Sequence, residues 1–191
     1  MKVYQLKNLP ERFKAFQLDP MKLCQQLGNN DLLPLLLGHS GGDTPLLPHW
    51  VDGVSSSFVA LTKQGNEIPD LSLWGSNRLI LNARAYDGLK RYLESEGEFL
   101  PVLADGEPMH VFNCLSFGKE DDKLCVKQYV DGERVGLETL VFEDEDVAKR
   151  FLFKSELQFG GALYCSTSFK ALCNELGLQG LRFDEDLLNP F

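Results

Sequence analysis

The residues that first suggest chemistry are Gly38-His39-Ser40-Gly41-Gly42, which satisfy the G-x-S-x-G pattern of serine hydrolases. In such enzymes the serine lies on a tight turn between a strand and a helix, and the glycines prevent clashes around its exposed hydroxyl. The flanking sequence does not suit that geometry, because Pro45 and Pro48 interrupt any helix that would follow. Pro34 is unfavourable in the strand that should precede the turn. The pattern therefore predicts a glycine-rich loop.

A small serine hydrolase that uses this loop is nevertheless the alternative hypothesis. His110 is available as the base for Ser40, and either Asp70 or Asp105 precedes it as the acid, so the chain order permits a triad. However, His110 stands beside apolar residues in a predicted strand, and no nucleophile lies near it in the sequence. A catalytic base requires such a neighbour, so the sequence favours a structural histidine and no catalytic residue.

Metal and cofactor sites are not expected either. A structural zinc site needs four clustered Cys or His ligands, whereas this chain has three histidines and five scattered cysteines with no C-x-x-C pair. Neither nucleotide-binding glycine pattern is present. An odd number of scattered cysteines indicates free thiols in a reducing compartment. The N-terminus lacks a signal peptide and no apolar stretch is long enough to span a bilayer, so we expect a cytoplasmic protein.

The charge of the chain is unevenly distributed. The formal net charge is −9, and residues 120–191 hold fifteen acidic and eight basic residues. This balance argues against binding to nucleic acids or anionic membranes. Acidic residues at the start of a short helix have a local explanation, because they favour the positive end of its dipole. Taken together, three acidic clusters are the predicted surface for a basic protein partner. These residues are Asp121, Asp122, Glu143, Asp144, Glu145, Asp146, Asp184, Glu185 and Asp186.

The elements that position these residues follow a repeated order. In residues 79–103, a short apolar run leads to the N-cap Asn82, and a helical pattern of apolar residues then ends near Gly97. The same strand, helix and strand order occurs in residues 162–183, where Gly177 ends the second helix. Between these two units, Asp105-Gly106 and Asp131-Gly132 predict two β-hairpins.

These patterns predict a single α+β domain over residues 1–191. We expect a mainly antiparallel sheet with two strand–helix–strand units and a few short helices. Residues 1–75 predict an irregular N-terminal portion, which packs on a more regular portion over residues 76–191. In the irregular portion, Asp19-Pro20 predicts a helix start and Gly28 its end, while a strand is expected at 58–61. Pro101 cannot donate a ladder hydrogen bond, so its strand is expected at an edge or a bulge.

The stretch from about 68 to 186 resembles a family of bacterial immunity proteins of polymorphic-toxin systems. The resemblance is carried by three parts of the chain. The first runs from 69–71 through 79–82 into the helix with Leu89 and Leu93, and the second combines 97–102 with 111–114. The third begins at 163–166 and ends in Gly-Leu-Gln-Gly-Leu-Arg-Phe at 177–183, which is its most characteristic segment.

This resemblance implies a cytosolic protein that binds and neutralises one cognate bacterial toxin by protein–protein contact, without catalysis. It implies no catalytic residues and no cofactor. An acidic inhibitor suits a basic toxin, and toxins that attack nucleic acids are commonly basic because they must replace counterions on phosphates. A homo-oligomer is also possible, and no feature of the sequence indicates or excludes it.

Overall fold

Twelve strands, five α-helices and two short 3-10 helices succeed one another in residues 2–37 and 43–189, the parts of the chain that this computed structural model describes. The first half contains β1 (Val3–Asn8), β2 (Ala15–Gln17), α1 (Pro20–Leu27), α2 (Leu33–Leu36), β3 (Ser55–Val59), β4 (Leu71–Trp74), β5 (Arg78–Asn82) and α3 (Ala83–Leu93). The second half contains β6 (Gly97–Ala104), β7 (Glu107–Cys114), β8 (Val126–Val130), β9 (Glu133–Thr139), α4 (Asp144–Val147), β10 (Leu152–Phe153), β11 (Tyr164–Ser166), α5 (Thr167–Glu175) and β12 (Leu181–Asp184).

The strands form three sheets. The large sheet has the order β2-β3-β6-β7-β5-β4, and the small sheet has the order β10-β11-β1-β12. The third sheet is the two-stranded hairpin of β8 and β9. All of the pairings are antiparallel except that of β3 with β6. The expected α+β domain with a mainly antiparallel sheet and a few short helices is therefore confirmed.

Side-chain alternation along the strands divides the interior into three layers. In β5, Leu79 and Leu81 face a central core that also contains the apolar faces of α3 and α5, whereas Ile80 faces an outer core with α1 and α2. In β11, Cys165 faces the central core and Tyr164 faces a third core beneath the hairpin and α4. The two sheets thus enclose the central core, as expected when alternate residues of a strand point to opposite faces.

The two expected strand–helix–strand units are present, and each contains an additional strand. In the large sheet β7 lies between β5 and β6, which therefore run parallel to one another. In the small sheet β1 lies in the same way between β11 and β12. Each unit is accordingly a split β-α-β arrangement. The N-terminal portion supplies β1 to the middle of the small sheet, so it is integral to the fold and does not merely pack upon it.

Local sequence signals account for where the helices start and stop. The Asp19 carboxylate accepts a hydrogen bond from the Lys22 amide (3.0 Å), and Asn82 accepts one from the Ala85 amide (2.9 Å). These bonds satisfy amides that lack a partner within the first turn of a helix. Gly28 ends α1 in the left-handed conformation (φ 67°), which a residue without a Cβ adopts readily. The short helix α2 contains Pro34 in its first turn, where proline is well tolerated.

Other expectations needed correction. The strand expected at 58–61 occurs at Ser55–Val59, and the short strands β2, β4 and β10 were not anticipated. Pro101 lies in β6 inside the large sheet, but β6 pairs with β3 only at Leu103 and Ala104. The outer side of β6 at Pro101 therefore has no neighbouring strand, and its carbonyl instead accepts a hydrogen bond from Trp50 Nε1 (2.7 Å). Locally, proline occupies an edge as expected.

Asp70 connects the two split units. Its carboxylate accepts hydrogen bonds from Asn82 Nδ2 (2.9 Å) and the Gln179 amide (3.0 Å), and it lies 3.5 Å from Arg84 Nη1. The backbone carbonyl of Gln179 in turn accepts bonds from the amides of Asp70 and Leu71. The turn between α5 and β12 is therefore fixed against the start of β4 and the N-terminus of α3.

This contact leaves no room for a side chain at Gly180. A Cβ added there would lie 2.0 Å from the Leu71 carbonyl oxygen, and the backbone has a φ of 126°. We expect Gly180→Ala to lower the free energy of unfolding by about 3 kcal/mol or more, because overpacking adds to the cost of the backbone conformation. Gly53→Ala is the matched control, since φ is 83° there with nothing within 4 Å, and it should cost about 1–2 kcal/mol. Denaturant unfolding of both variants measures the difference, and equal losses would contradict the close approach.

Candidate partner-binding surface

The hairpin of β8 and β9 carries several exposed apolar side chains. All five residues of β8 are exposed, and no other strand pairs with the hairpin within the described residues. Its exposed apolar side chains include Tyr129 (58% exposed), Val130 and Val135. An isolated two-stranded hairpin is only marginally stable in water, so the rest of the protein must support it.

That support comes mainly through β9. Leu137 packs against the third core, and Arg134 donates a hydrogen bond to the Leu157 carbonyl. The guanidinium of Arg134 also lies over the ring of Phe159, 5.2 Å from its centroid. At the base of the hairpin, the Thr139 hydroxyl accepts a bond from the Val126 amide (2.9 Å). Because β9 carries these contacts, β8 is held outward with one edge unpaired.

Two of the three acidic clusters meet at the base of the hairpin. Glu120 forms a β-bridge with Phe142, and the Glu143 amide donates a hydrogen bond to the Lys119 carbonyl (2.8 Å). Lys119 Nζ lies 2.7 Å from the Glu143 carboxylate. The structure thus brings residues 120–122 and 143–146 together, although about twenty residues separate them in the sequence.

Several of these acidic side chains stabilise the fold. Asp146 accepts hydrogen bonds from Arg150 Nε (2.8 Å), Arg150 Nη2 (2.9 Å) and the Lys119 amide (2.9 Å). The bonds from Arg150 hold the pKa of Asp146 below its usual value, since they favour the charged carboxylate. Asp121 accepts bonds from the Lys123 and Leu124 amides and so closes the turn that precedes β8.

The third acidic cluster lies at the end of β12. Asp184 accepts a hydrogen bond from the Asp186 amide and is 3.3 Å from Lys7 Nζ, and both contacts keep its pKa low. Glu185 forms an exposed ion pair with Lys2 (2.7 Å). The residues that follow, Leu187 and Leu188, pack against the third core. All three clusters are therefore attached to segments that surround this core.

The predicted surface residues accordingly fall into two groups. Asp121, Asp146 and Asp184 are engaged in the local hydrogen bonds described above. By contrast, Asp122 and Glu145 are exposed and make no hydrogen bond with another described residue. Asp144, Glu185 and Asp186 are also exposed, while Glu143 is partly buried. The acidic surface remains a prediction, and its outward charge is concentrated beside the base of the hairpin.

Of the residues in the hydrolase hypothesis, the structure describes His110, Asp70 and Asp105. The loop Gly38-His39-Ser40-Gly41-Gly42 lies outside the described residues. Leu36 and Leu46, on either side of this loop, pack in the outer core. His110 lies on the opposite face of the large sheet, where its ring stacks on Tyr86 at 3.7 Å.

The remaining parts of that hypothesis have structural roles. Burial lowers the pKa of His110, and its Nδ1 atom has no hydrogen-bond partner among the described residues. Asp70 joins the two split units, and Asp105 accepts a hydrogen bond from the Phe58 amide (3.0 Å). No observation on the described residues favours an acid–base pair with Ser40.

The thiols and tryptophans are also occupied by packing. All five cysteines are free, and burial raises the pKa of Cys114 and Cys173 to about 12, which makes these thiols poor nucleophiles. Trp74 is buried and donates a hydrogen bond from Nε1 to the Leu18 carbonyl (2.9 Å), while Trp50 bonds to Pro101. Both tryptophans are thereby tied to the backbone.

Within residues 2–37 and 43–189, no group of three His, Cys, Asp or Glu side chains is arranged to hold a metal ion. None of the helices described there combines the length and the apolar character needed to cross a membrane.

The division between structural and outward acidic residues is testable by neutral substitutions. We expect Asp146→Asn to lower the free energy of unfolding by about 2 kcal/mol, because charge-assisted hydrogen bonds to Arg150 are lost. Glu145→Gln is the matched control and should change it by less than about 0.5 kcal/mol. Folding lowers the pKa of Asp146, so its contribution is present above pH 3.8, the ordinary value, and is lost as the pH falls through the lower folded value. Unfolding curves at neutral and acid pH check both statements, and equal effects of the two substitutions would contradict them.

Comparisons with known proteins supply no identity for this chain: no family model matches it, and no curated protein is significantly similar to it in sequence.

Proposed function

We propose that this protein acts by binding another protein through the hairpin of β8 and β9, and that its partner is a basic bacterial toxin which it neutralises without catalysis. The observation that carries the proposal is the exposure of Tyr129, Val130 and Val135 on a hairpin held out from the body. The resemblance of residues 68–186 to immunity proteins of polymorphic-toxin systems supports the nature of the partner.

The apolar side chains suit a protein interface. Exposed apolar side chains grouped on one hairpin are typical of interaction sites, and tyrosine is enriched among the residues that contribute most to binding. The outer edge of β8 also presents unpaired backbone groups, to which a strand of a partner can add. Register shifts at Val126/Lys127 and Gln128/Tyr129 distort this edge, which limits indiscriminate pairing with other chains.

The charges beside the hairpin suit a basic partner. Asp122 and Glu145 are exposed near its base, where two acidic clusters meet. Charges at the rim of an interface mainly accelerate association and select against like-charged partners, while the apolar centre contributes most of the affinity. This division assigns affinity to the hairpin and steering to the acidic residues.

Co-expression with the product of the neighbouring gene tests the proposal directly. We expect that product to be toxic when produced alone, to be harmless when produced with this protein, and to co-purify with it. A neighbouring product that is harmless by itself and does not co-purify would remove the assignment as an immunity protein. Light scattering of the isolated protein provides a second outcome, because a hairpin that pairs with a second copy of this chain would give a dimer.

Substitutions in the hairpin should weaken the complex without unfolding the protein. For Tyr129→Ala we expect a loss of about 2 kcal/mol or more in binding, which is about thirtyfold in the dissociation constant. Leu61→Ala is the matched control, since both side chains are 58% exposed but Leu61 follows β3. Calorimetric titration with the co-purified partner measures both, and thermal unfolding confirms that both variants fold. Equal affinities of the two variants would contradict the role of the hairpin.

The acidic residues make a separate contribution that depends on salt. The double variant Asp122→Asn, Glu145→Gln should slow association while leaving dissociation nearly unchanged, and added salt should reduce its difference from the unmodified protein. Stopped-flow association at two ionic strengths measures this effect. A difference that does not depend on salt would contradict electrostatic steering.

A further inference from the structure

A cleft of about 380 Å³ lies where the end of α2, the turn between β4 and β5, and the segment 158–161 meet. Its volume falls within the range of sites that bind small molecules. Its lining includes Leu37, Trp74, Asn77, Arg78, Gln158 and Phe159.

The cleft is lined by a buried guanidinium that lacks a counter-ion. Arg78 is only 8% exposed and stacks on Trp74, with Cζ 4.8 Å from the ring centroid. Its Nη1 atom makes two long hydrogen bonds, to the Leu36 carbonyl (3.5 Å) and to Asn77 Oδ1 (3.4 Å). Its Nε atom is buried without a hydrogen-bond partner, and no carboxylate among the described residues forms an ion pair with it.

A buried charge without an opposite charge beside it is unusual. Buried charges are generally paired, because removal from water is costly unless hydrogen bonds or an opposite charge replace the lost hydration. Burial lowers the pKa of Arg78 to about 10, so the guanidinium is still charged at neutral pH. Burial lowers the pKa of Lys154 to about 8, and the charge of Arg78 acts in the same direction, whereas Cys114 and Asp43 raise it.

Two exposed apolar side chains, Leu37 and Phe159, line the cleft. Leu37 is 52% exposed and Phe159 is 67% exposed. The backbone of Phe159 has a φ of 52°, a left-handed conformation that is uncommon for a large residue. Such backbone strain persists where the surrounding structure enforces it, and it recurs at ligand-binding sites. Apolar side chains beside the buried guanidinium of Arg78 match a ligand with an apolar group attached to an anionic one.

We propose that this cleft binds a small carboxylate that carries an apolar group, with the carboxylate on Arg78 and the apolar part between Leu37 and Phe159. A planar guanidinium is well matched to a carboxylate, with which it forms two parallel hydrogen bonds. The volume exceeds that of a lone anion and accommodates an aromatic or branched aliphatic acid. This site adjoins the partner-binding hairpin only through Phe159, whose ring contacts Arg134 of β9. The two proposals concern different ligands, so the failure of either leaves the other standing.

Phenylacetate and phenylacetamide are suitable probes, since they have nearly the same shape and differ in charge. Titrations of the full-length protein are followed by amide chemical shifts in NMR spectra. We expect saturable shifts of Gly75, Asn77 and Gly161 with phenylacetate, and at least about tenfold tighter binding than with phenylacetamide. Equal affinities, or shifts confined to other parts of the protein, would overturn the proposal.

Two variants and one control locate the carboxylate. Arg78→Met should abolish the preference for phenylacetate over phenylacetamide. Arg91→Met is the matched control, because Arg91 also stacks on an aromatic ring (4.6 Å from Tyr92) but is exposed on α3, and it should keep the preference. Since Arg78 is buried, its replacement can impair folding, so Phe159→Ala serves as an exposed second variant that should weaken phenylacetate binding several-fold. Unchanged binding in Phe159→Ala would overturn the placement of the apolar group.

A peptide probe shows whether the carboxylate comes from a small molecule or from a segment of a protein. Acetyl-Phe-Glu-amide presents the same chemistry on a peptide backbone. We expect it to bind more weakly than phenylacetate, because the cleft must also accommodate its backbone. Tighter binding of the peptide would overturn the assignment to a small molecule and indicate the acidic side chain of a protein.

Discussion

The Asp70 carboxylate is the contact on which the arrangement of the two sheets depends. It receives the Gln179 amide from the turn after α5 and the Asn82 side chain from the start of α3. Each split β-α-β unit can form its own sheet, but neither buries the central core alone. By fixing the end of one unit against the beginning of the other, Asp70 sets the position at which α3 and α5 share that core. The small sheet then presents its opposite face to the third core, which supports the hairpin.

The sequence predicted the local features of this fold better than it predicted which strands pair with one another. Helix caps and tight turns depend on neighbouring residues, so a short segment of sequence is enough to predict them. Examples are the N-caps Asp19 and Asn82 and the turn at Asp131-Gly132. The insertion of β1 between β11 and β12 depends on residues about 160 to 180 positions away, and no local pattern encodes it. The strands that escaped prediction have four residues or fewer, too short for an alternation to stand out.

The acidic residues illustrate a similar limit for the candidate site. The runs of acids were visible, and their concentration after residue 119 suggested a surface for a basic partner. The role of each acidic residue was not visible in the sequence. For example, Asp146 accepts a hydrogen bond from the Lys119 amide, which is 27 positions away. The hairpin itself was predicted from Asp131-Gly132, but its isolation from the other sheets and the exposure of β8 follow only from the three-dimensional arrangement. Nothing in the sequence marked Arg78 as a candidate binding residue, since a lone arginine beside apolar residues is common.

The central claim is that an exposed hairpin, supported by the third core, is the surface through which this protein holds its partner. Amide hydrogen exchange of the protein, alone and in the complex with the co-expressed partner, tests this claim most directly. Residues 126–139 should exchange rapidly in the free protein, because β8 is exposed along its whole length, and should become strongly protected in the complex. Protection confined to other segments, with residues 126–139 exchanging equally fast in both states, would contradict it.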